Sequence, residues 1–336
     1  MKVKDFNYDL PSGLIASEPL KQRDSARLMV IQRSSGEISG TVFRDIGRYI
    51  YPGDCVVIND TRVIPARLYG RRKTGGKVEI FLIEPFENPP TALVRSSGNI
   101  RCGEVIGLEG GGEAKILQKA EVGRYVSFSA TLEKILKSGH VPLPPYIGRD
   151  DLPRDRQDYQ TVYASRDGAT ASPTAGLHFT RKLLNELTDK GVKIARVTLH
   201  TSYGTFSPVK AEKIEDHKMH GERYNLSDDA ADVINRSRSS GGKIVAVGTT
   251  SARVIETCAS GEGMVRPSSG ISNLFIYPGY RFKMVDAMVT NFHLPQSTLL
   301  MMVSALAGKD LIDKAYRKAI REKYRFFSYG DATLIL

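Results

Sequence analysis

Cysteine is scarce in this chain, with three in 336 residues, and the three lie far apart. Cys55, Cys102 and Cys258 form no C-x-x-C pair, so the sequence excludes a disulfide framework and a cysteine zinc site. This usage is typical of proteins in a reducing compartment. We therefore expect a cytoplasmic protein.

Long apolar runs are also missing. The longest, residues 298–307, is shorter than the about 20 residues of a membrane-spanning helix, and it predicts a buried helix instead. Residues 1–6 contain no apolar core of a secretory signal. The sequence predicts no contact with a membrane, and the lack of a coiled coil or an exposed apolar stripe favours a monomer.

Acidic residues are too few to balance the basic ones. The chain has 37 Asp and Glu against 48 Lys and Arg, a formal net charge of +11. This excess favours a polyanionic partner, nucleic acid first, although basic enzymes without such a partner are common. Clusters that together could follow a phosphate backbone occur at Arg67, Arg71, Arg72, Lys73 and Lys77, at Arg149, Arg154 and Arg156, and at Arg317, Lys318, Arg321, Lys323 and Arg325.

Two parts of the chain alternate helical and extended periodicity. The predicted strands cover 28–31, 55–58, 193–199 and 243–247, and the predicted helices lie near 43–50, 181–190, 227–238 and 252–258. Ser227 is the predicted cap of the third helix. This alternation predicts an α/β domain with a largely parallel sheet and helices on both faces.

The stretch between these parts has a different sequence pattern. Short alternating runs and repeated glycine turns predict a small all-β barrel. We therefore predict a discontinuous α/β domain at 1–65 and 150–336, interrupted by a barrel domain at 66–149.

Polar loops recur at the predicted ends of strands and starts of helices, and they contain four of the six histidines. The block 168–180 carries His178 and should be a loop or tight turn, followed by a helix capped by Thr180. His200 ends a predicted strand, and His293 precedes a helix. The block 168–180 is by itself equally typical of an active site and of a hydrogen-bonded turn, but His200 is a candidate for acid–base chemistry and the recurrence of such loops favours a function.

Two further loops have the geometry of ligand sites in open α/β sheets. Residues 59–62, Asn-Asp-Thr-Arg, follow a buried strand, and residues 247–251, Val-Gly-Thr-Thr-Ser, lead from a strand into a helix. The second is not a P-loop, since it lacks the Gly-Lys pattern. The alternatives are an Asx-turn and plain helix capping.

His217, His220 and Glu222 have a spacing that could supply three metal ligands. Gly221 interrupts any helix there, however, and the pattern is not His-Glu-x-x-His. Hydrogen bonding to a substrate is favoured, and a metal-dependent hydrolase stays an alternative.

The motifs, taken in order, carry a resemblance that runs from about residue 5 to the C-terminus and is weakest over 71–138. They are 23–28 (RDSARL), 57–67 (VINDTRVIPAR), 142–147 (PLPPYI), 158–164 (DYQTVYA), 173–180 (PTAGLHFT), 217–222 (HKMHGE), 247–251 (VGTTS), 275–280 (FIYPGY), 290–295 (TNFHLP) and 326–331 (FFSYGD). In these motifs the chain resembles the S-adenosylmethionine:tRNA ribosyltransferase-isomerase family of queuosine biosynthesis. It departs from the family pattern at 201–203, Ser207 and Gln296.

The resemblance implies a tRNA-modifying transferase and isomerase that uses S-adenosylmethionine as substrate, without a cofactor or a metal. The ribosyl group passes to the 7-aminomethyl group of 7-aminomethyl-7-deazaguanine (preQ1) at the tRNA wobble position. The product is epoxyqueuosine-tRNA, and adenine and methionine leave. A non-catalytic RNA-binding protein is the second alternative.

This chemistry needs a base at C5′ of the sulfonium substrate and an acid for the departing adenine. The expected acid–base and orienting groups are His178, His200, His220 and His293, with Glu222 and Asp60 as partners. The expected substrate-binding residues are Asn59, Thr61, Arg62, Thr174, Thr205, Thr249, Thr250, Asn291, Tyr329 and Asp331. Thr249 and Thr250 are expected to hold the methionine carboxylate.

Overall fold

The structure is a computed structural model that describes residues 1–201, 209 and 211–336. Its strands are β1 (Arg27–Ile31), β2 (Ile38–Val42), β3 (Cys55–Asn59), β4 (Thr61–Val63), β5 (Arg67–Arg72), β6 (Lys77–Glu84), β7 (Thr91–Ser96), β8 (Val105–Leu108), β9 (Glu113–Lys119), β10 (Arg124–Phe128), β11 (Arg166–Ala169), β12 (Lys193–Leu199), β13 (Glu222–Leu226), β14 (Ile244–Val247), β15 (Ser268–Ser272), β16 (Ala287–Asn291) and β17 (Ala332–Ile335). Its α-helices are α1 (Leu132–Lys137), α2 (Asp155–Asp158), α3 (Arg181–Asp189), α4 (Asp228–Ser239), α5 (Gly248–Cys258), α6 (Thr298–Ala307) and α7 (Lys309–Arg321). Short 3-10 helices include Phe43–Arg48 and Thr174–His178.

A nine-stranded sheet organises most of the chain, in the order β15-β13-β12-β3-β14-β16-β17-β1-β2. The prediction of a largely parallel sheet is wrong, because the sheet is mixed. The pairs β12/β3, β3/β14, β14/β16 and β17/β1 are parallel, whereas β15/β13, β13/β12, β16/β17 and β1/β2 are antiparallel. Apolar periodicity predicts a strand but not its direction. The short turn at 32–37 between β1 and β2 allows only an antiparallel pair.

The central strands are buried on both faces, as the continuous apolar run at 55–58 predicts. Cys55 and Val57 of β3 point into one apolar core and Val56 and Ile58 into the other, because successive side chains of a strand alternate between faces. Helices α4 to α7 contribute to the first core, and α3 and Phe43–Arg48 to the second. Helices therefore cover both faces of the sheet.

The starts of α3 and α4 follow the predicted capping residues, and Ser297 caps α6. Thr180 Oγ1 accepts the backbone N–H of Leu183 at 3.1 Å, and Ser227 Oγ accepts that of Ala230 at 3.3 Å. Helix α5 differs from the prediction, since it begins at Gly248 rather than Ala252. Gly248 has φ +86°, a left-handed conformation that favours glycine, and it turns the chain directly from β14 into the helix.

The middle of the chain forms a separate antiparallel sheet of six strands, β5 to β10. Its pairings run β10-β7-β6-β5-β8-β9 and return from β9 to β10. The sheet encloses an apolar core of its own, which includes Ile80, Leu82, Ile106 and Val126. Among the described residues, no helix has the length and apolar character needed to cross a membrane.

Candidate active site

One edge of the nine-stranded sheet collects the polar loops of the sequence. Strands β12, β3, β14 and β16 are successive parallel neighbours, so their carboxyl ends lie at the same edge. Strand β17 is antiparallel to β16 and β1 is parallel to β17, so both begin at that edge. Open α/β sheets bind ligands at the carboxyl ends of their strands.

A cleft opens at this edge between the loops after β14 and β16. It encloses about 500 Å³ of empty space including its mouth. We call it the hydroxyl cleft because Ser172, Thr174, Thr201, Thr249, Thr250, Thr290 and Ser328 line it, together with Tyr146, Pro173, Ala175, Gly248, Asn291, Phe292, His293, Leu294, Leu299 and Phe327.

Three hydroxyls of the cleft are buried without a hydrogen-bond partner among the described residues. They belong to Ser172, Thr201 and Thr250. A buried hydroxyl without a partner costs about 1–3 kcal/mol, so such groups are rare in the interior of folded proteins. Three of them on one cleft indicate a surface built to bind a polar ligand.

The start of α5 forms the floor of the cleft. Thr249 and Thr250 are in its first turn, 7% and 8% exposed. The first backbone N–H groups of a helix have no partner within it and carry partial positive charge. Both threonines, which the sequence analysis expects to hold the methionine carboxylate, line the cleft at this helix start.

His293 lies in the wall of the cleft. Its Nε2 is 2.9 Å from Thr290 Oγ1, and its backbone N–H donates to the Tyr316 hydroxyl at 2.9 Å. Burial lowers the pKa of His293 to about 3, so the imidazole is neutral at neutral pH. A neutral ring accepts a proton or a hydrogen bond but has no imidazolium proton to give.

Asn291 connects the cleft to His178. Its Oδ1 accepts a hydrogen bond from Thr174 Oγ1 at 2.9 Å, and its Nδ2 lies 3.1 Å from His178 Nε2. His178 is buried against the Phe43 ring, and burial, with smaller contributions from Arg325 and Arg23, lowers its pKa to about 3. The predicted residues Thr174, Asn291 and His178 are therefore one hydrogen-bonded chain.

His200 belongs to a second polar cluster, at the ends of β3 and β12. Its Nδ1 is 2.8 Å from Thr61 Oγ1. Burial lowers its pKa, and the nearby Asp60 opposes that shift. Asp60 accepts hydrogen bonds at 2.7 Å from Thr198 Oγ1 and from Ser165 Oγ. Thr201, the next residue after His200, lines the hydroxyl cleft.

Asn59 and Arg62 hold the backbone in place beside that cluster. The Asn59 side chain exchanges two 3.0 Å hydrogen bonds with the backbone of Leu199 and accepts the N–H of Thr61. Arg62 is exposed and donates to the carbonyl of Ala164 at 2.9 Å. Asn59 thus performs the role of an Asx-type turn residue, which was the alternative to substrate binding.

Tyr329 and Asp331 support the start of β17. The Tyr329 hydroxyl donates to Asp155 Oδ1 at 3.0 Å, and Asp331 accepts the backbone N–H groups of Arg27 and Arg325 at 3.0 and 2.8 Å. Asp331 therefore fixes backbone, while Tyr329 lines a second cavity beside the cleft.

The side chains of His217, His220 and Glu222, predicted as possible ligands of one site, do not come together in the structure. Glu222 is buried in an ion pair with Arg253 of α5, whereas His220 is exposed and His217 packs against the Phe275 ring. Among the described residues no three His, Cys, Asp or Glu side chains form a group that could hold a metal ion. The hydrolase alternative has no support from this arrangement.

Thr205 and the departure at Ser207 lie outside the described residues. The departure at Gln296 lies beside the start of α6, where its side chain donates to Asn7 Oδ1 at 3.0 Å.

Sequence reasoning missed several residues of the cleft. Tyr146 and Ser328 share a 2.6 Å hydrogen bond between hydroxyls, and the Tyr146 and Phe327 rings have centroids 4.8 Å apart. Ser172 and Thr201 supply two of the hydroxyls without a partner in the described part of the chain. Tyr146, Phe327, Ser328 and Ser172 occur in stretches already singled out in the sequence, but other residues of those stretches were chosen as candidates.

Comparisons with known proteins cover the whole chain. A curated protein of Acetivibrio thermocellus named S-adenosylmethionine:tRNA ribosyltransferase-isomerase is 52% identical over 344 aligned positions, with both chains fully covered. A protein of the same name from Caldanaerobacter subterraneus subsp. tengcongensis is 49% identical, again with both chains fully covered.

A solved structure agrees with these relatives. The crystal structure of S-adenosylmethionine tRNA ribosyltransferase from Thermotoga maritima is 37% identical, with a TM-score of 0.57, and the match covers 99% of this chain and 100% of that one. The family described as Queuosine biosynthesis protein matches residues 3–335. The chain therefore belongs to the queuosine biosynthesis protein family.

Proposed function

We propose that the chain is an S-adenosylmethionine:tRNA ribosyltransferase-isomerase. Its full-length relatives carry this name, and the family resemblance of the sequence implies the same reaction. The observation that supports it in the structure is the hydroxyl cleft, whose three buried hydroxyls have no partner in the described part of the chain. A polyhydroxylated substrate with a charged tail is the kind of ligand that such a surface binds.

In this proposal the ribosyl group of S-adenosylmethionine is transferred and isomerised onto the aminomethyl group of preQ1 in tRNA, and adenine and methionine leave. The sulfonium acidifies the C5′ hydrogens, so a base removes a proton there. The departing adenine takes up a proton, and the attacking amine must be neutral. The net charge of +11 favours the approach of tRNA.

The hydroxyl cleft is assigned to S-adenosylmethionine. Thr249 and Thr250, with the first N–H groups of α5, hold the methionine carboxylate, because a helix start favours an anion. Ser172 and Thr201 bind the sugar or the polar edge of adenine. The Phe327 ring packs against the purine, in line with the preference of aromatic rings for offset stacking.

Proton transfer is assigned to His293, the histidine that lines the cleft. Burial makes this ring a weak base, so accepting the C5′ proton requires that bound substrate raise the pKa of His293, and Thr290 orients the ring. His178 and Asn291 position the wall of the cleft from behind. His200 and Asp60 support the adjoining Thr201.

We also propose that residues 66–149 are an inserted barrel domain and 1–65 with 150–336 the discontinuous main domain. The chain enters and leaves the insert side by side, where Arg67 and His140 exchange two backbone hydrogen bonds of 3.2 and 2.8 Å. The six strands surround their own core. We place the enzyme in the cytoplasm as a monomer, and size-exclusion chromatography with light scattering tests the monomer.

The experiment incubates the purified protein with S-adenosylmethionine and preQ1-bearing tRNA, then digests the tRNA for nucleoside mass spectrometry and assays free adenine. The proposal predicts stoichiometric adenine and a ribosyl-derived mass gain on the modified base. tRNA binding with neither product would instead support a non-catalytic RNA-binding protein. tRNA with guanine at the wobble position is the control substrate and should give no adenine.

A further inference from the structure

A second cavity lies beside the hydroxyl cleft and is rich in positive charge. Lys21, Arg23 and Arg325 line it, and it encloses about 430 Å³ including its mouth. We call it the basic cavity. Ser328 lines both the basic cavity and the hydroxyl cleft, so the two spaces share a wall.

The two guanidinium groups of the basic cavity are oriented by backbone carbonyls. Arg23 donates to two carbonyl oxygens at 2.6 and 2.7 Å, and Arg325 donates to two others at 2.6 and 3.3 Å. Carbonyl oxygens fix the direction of a guanidinium without neutralising its charge. The arginines are thereby held in place with their positive charge retained.

Carboxylates balance this charge only in part. Asp158 also lines the cavity and opposes an anion there, and Asp331 lies 3.9 Å from Arg325 Nε. Both Asp331 oxygens already accept backbone N–H groups. Three cations thus face two carboxylates, and a bound anion would offset the excess.

The positive charges of the basic cavity also act on His178. It lines the basic cavity, and after burial the charge of Arg325 is the largest cause that lowers its pKa, while a hydrogen bond with the Arg23 backbone opposes the smaller effect of the Arg23 charge. Its contact with Asn291 connects this cavity to the hydroxyl cleft.

We propose that the basic cavity binds a phosphodiester group of the tRNA next to the reacting base. The inference rests on the proposed function, in which tRNA is the second substrate. Every nucleotide carries an anionic phosphate close to its base, and an arginine fork matches the geometry of phosphate oxygens. A base that reaches the hydroxyl cleft therefore brings a phosphate to the neighbouring cavity.

The test measures tRNA binding by fluorescence anisotropy with labelled preQ1-tRNA at 50–200 mM salt, and the KM for each substrate by adenine release. Lys21 is exposed, so Lys21→Glu reverses one of the cavity's three positive charges without opening the core. Lys243→Glu is the matched control, since Lys243 is exposed and precedes β14 at the opposite edge of the sheet. Arg325→Gln is the second variant, and its thermal unfolding shows whether it folds.

We expect Lys21→Glu to weaken tRNA binding at least tenfold more than Lys243→Glu, with the KM for S-adenosylmethionine within twofold of the parent. Lys21→Gln should reduce the salt slope of binding by about one, the change for one lost phosphate contact. Arg325→Gln, if folded, should act in the same direction.

Equal tRNA binding by Lys21→Glu and Lys243→Glu would overturn the proposal. So would a raised KM for S-adenosylmethionine with unchanged tRNA binding, which would make the methionine carboxylate the anion. Anisotropy needs no turnover. An absence of adenine release by the parent protein therefore counts against the proposed function, and the binding comparison still decides the phosphate site.

Discussion

Asn291 is the residue on which two features of the site depend. Its amide joins Thr174 in the hydroxyl cleft to the buried His178 through contacts of 2.9 and 3.1 Å. Removing the amide leaves polar groups in the interior without their partner, which costs about 1–3 kcal/mol. The same change removes the hydrogen bonds that connect Thr174 and His178 through Asn291.

Asn291→Ala should therefore lower the free energy of unfolding by about 1–3 kcal/mol and reduce kcat. Urea unfolding and adenine release measure the two effects. Asn185→Ala, on an exposed position of α3, is the control and should stay within about 0.5 kcal/mol of the parent. Unchanged stability and turnover in Asn291→Ala would remove Asn291 from the account.

The two buried histidines make stability depend on pH. Burial lowers the pKa of both His178 and His293 to about 3, while an unfolded histidine takes up its proton near pH 6.5. Between these values the unfolded state binds more protons, so stability falls as the pH falls. Each histidine contributes a slope of about 1.4 kcal/mol per pH unit.

His293→Gln should reduce this slope by about 1.4 kcal/mol per unit between pH 6 and 4, measured by urea unfolding. His220→Gln, at an exposed histidine, should leave the slope unchanged. The turnover profile adds a second check. An acidic limb that disappears in His200→Gln would transfer the proton-accepting role from His293 to His200.

At the scale of elements, α5 contains two threonines whose hydroxyl groups have different surroundings. Thr250 Oγ1 is buried without a partner among the residues described, whereas Thr257 Oγ1, later in the same helix, donates to the carbonyl of Arg253 at 2.7 Å. The same Thr→Val substitution should therefore have opposite consequences at the two positions.

Thr250→Val should keep or raise the free energy of unfolding and raise the KM for S-adenosylmethionine several-fold. Thr257→Val should cost about 1–3 kcal/mol, because Thr257 Oγ1 also lies 2.7 Å from Ser272 Oγ and both hydrogen bonds are lost, and it should leave that KM unchanged. Thermal unfolding and substrate titrations by adenine release compare them. A normal KM in Thr250→Val would exclude Thr250 from the binding surface.

Periodicity and capping predict individual elements well in this chain. The caps Thr180 and Ser227 and the doubly buried strand 55–58 are confirmed, because local sequence determines them. Strand direction and the meeting of distant loops depend on connections and tertiary packing, which periodicity does not encode. For that reason the mixed sheet and the pairing of Glu222 with Arg253 were not predicted.

At the scale of the whole molecule, several of the family motifs meet at one edge of the sheet, but the residues chosen from them do not include every side chain that lines the cleft. Ser172, Thr201 and Tyr146 have no distinguishing sequence pattern. They become candidates only because the structure places all three in the lining of one cleft, with the hydroxyls of Ser172 and Thr201 buried. The excess of positive charge is likewise a property of the whole chain. It cannot indicate the basic cavity until folding brings Lys21, Arg23 and Arg325 together.

Because of this positive charge, the binding of the two substrates should depend differently on salt concentration. tRNA binding should weaken with a negative slope of log affinity against log salt, because counterions are released from the backbone. The KM for S-adenosylmethionine should change little between 50 and 200 mM salt, since the cleft is lined mainly by uncharged groups. Parallel titrations measure both, and equal salt dependence would contradict the assignment of the two substrates to different surfaces.

The most direct test of the central claim is adenine release by the parent protein and by His293→Ala, with preQ1-tRNA and S-adenosylmethionine saturating. The account predicts stoichiometric adenine from the parent and a kcat about 10²–10⁴ lower in the variant, the range for a lost acid–base group. Release by His293→Ala within a few-fold of the parent would place the chemistry outside the hydroxyl cleft and contradict the account.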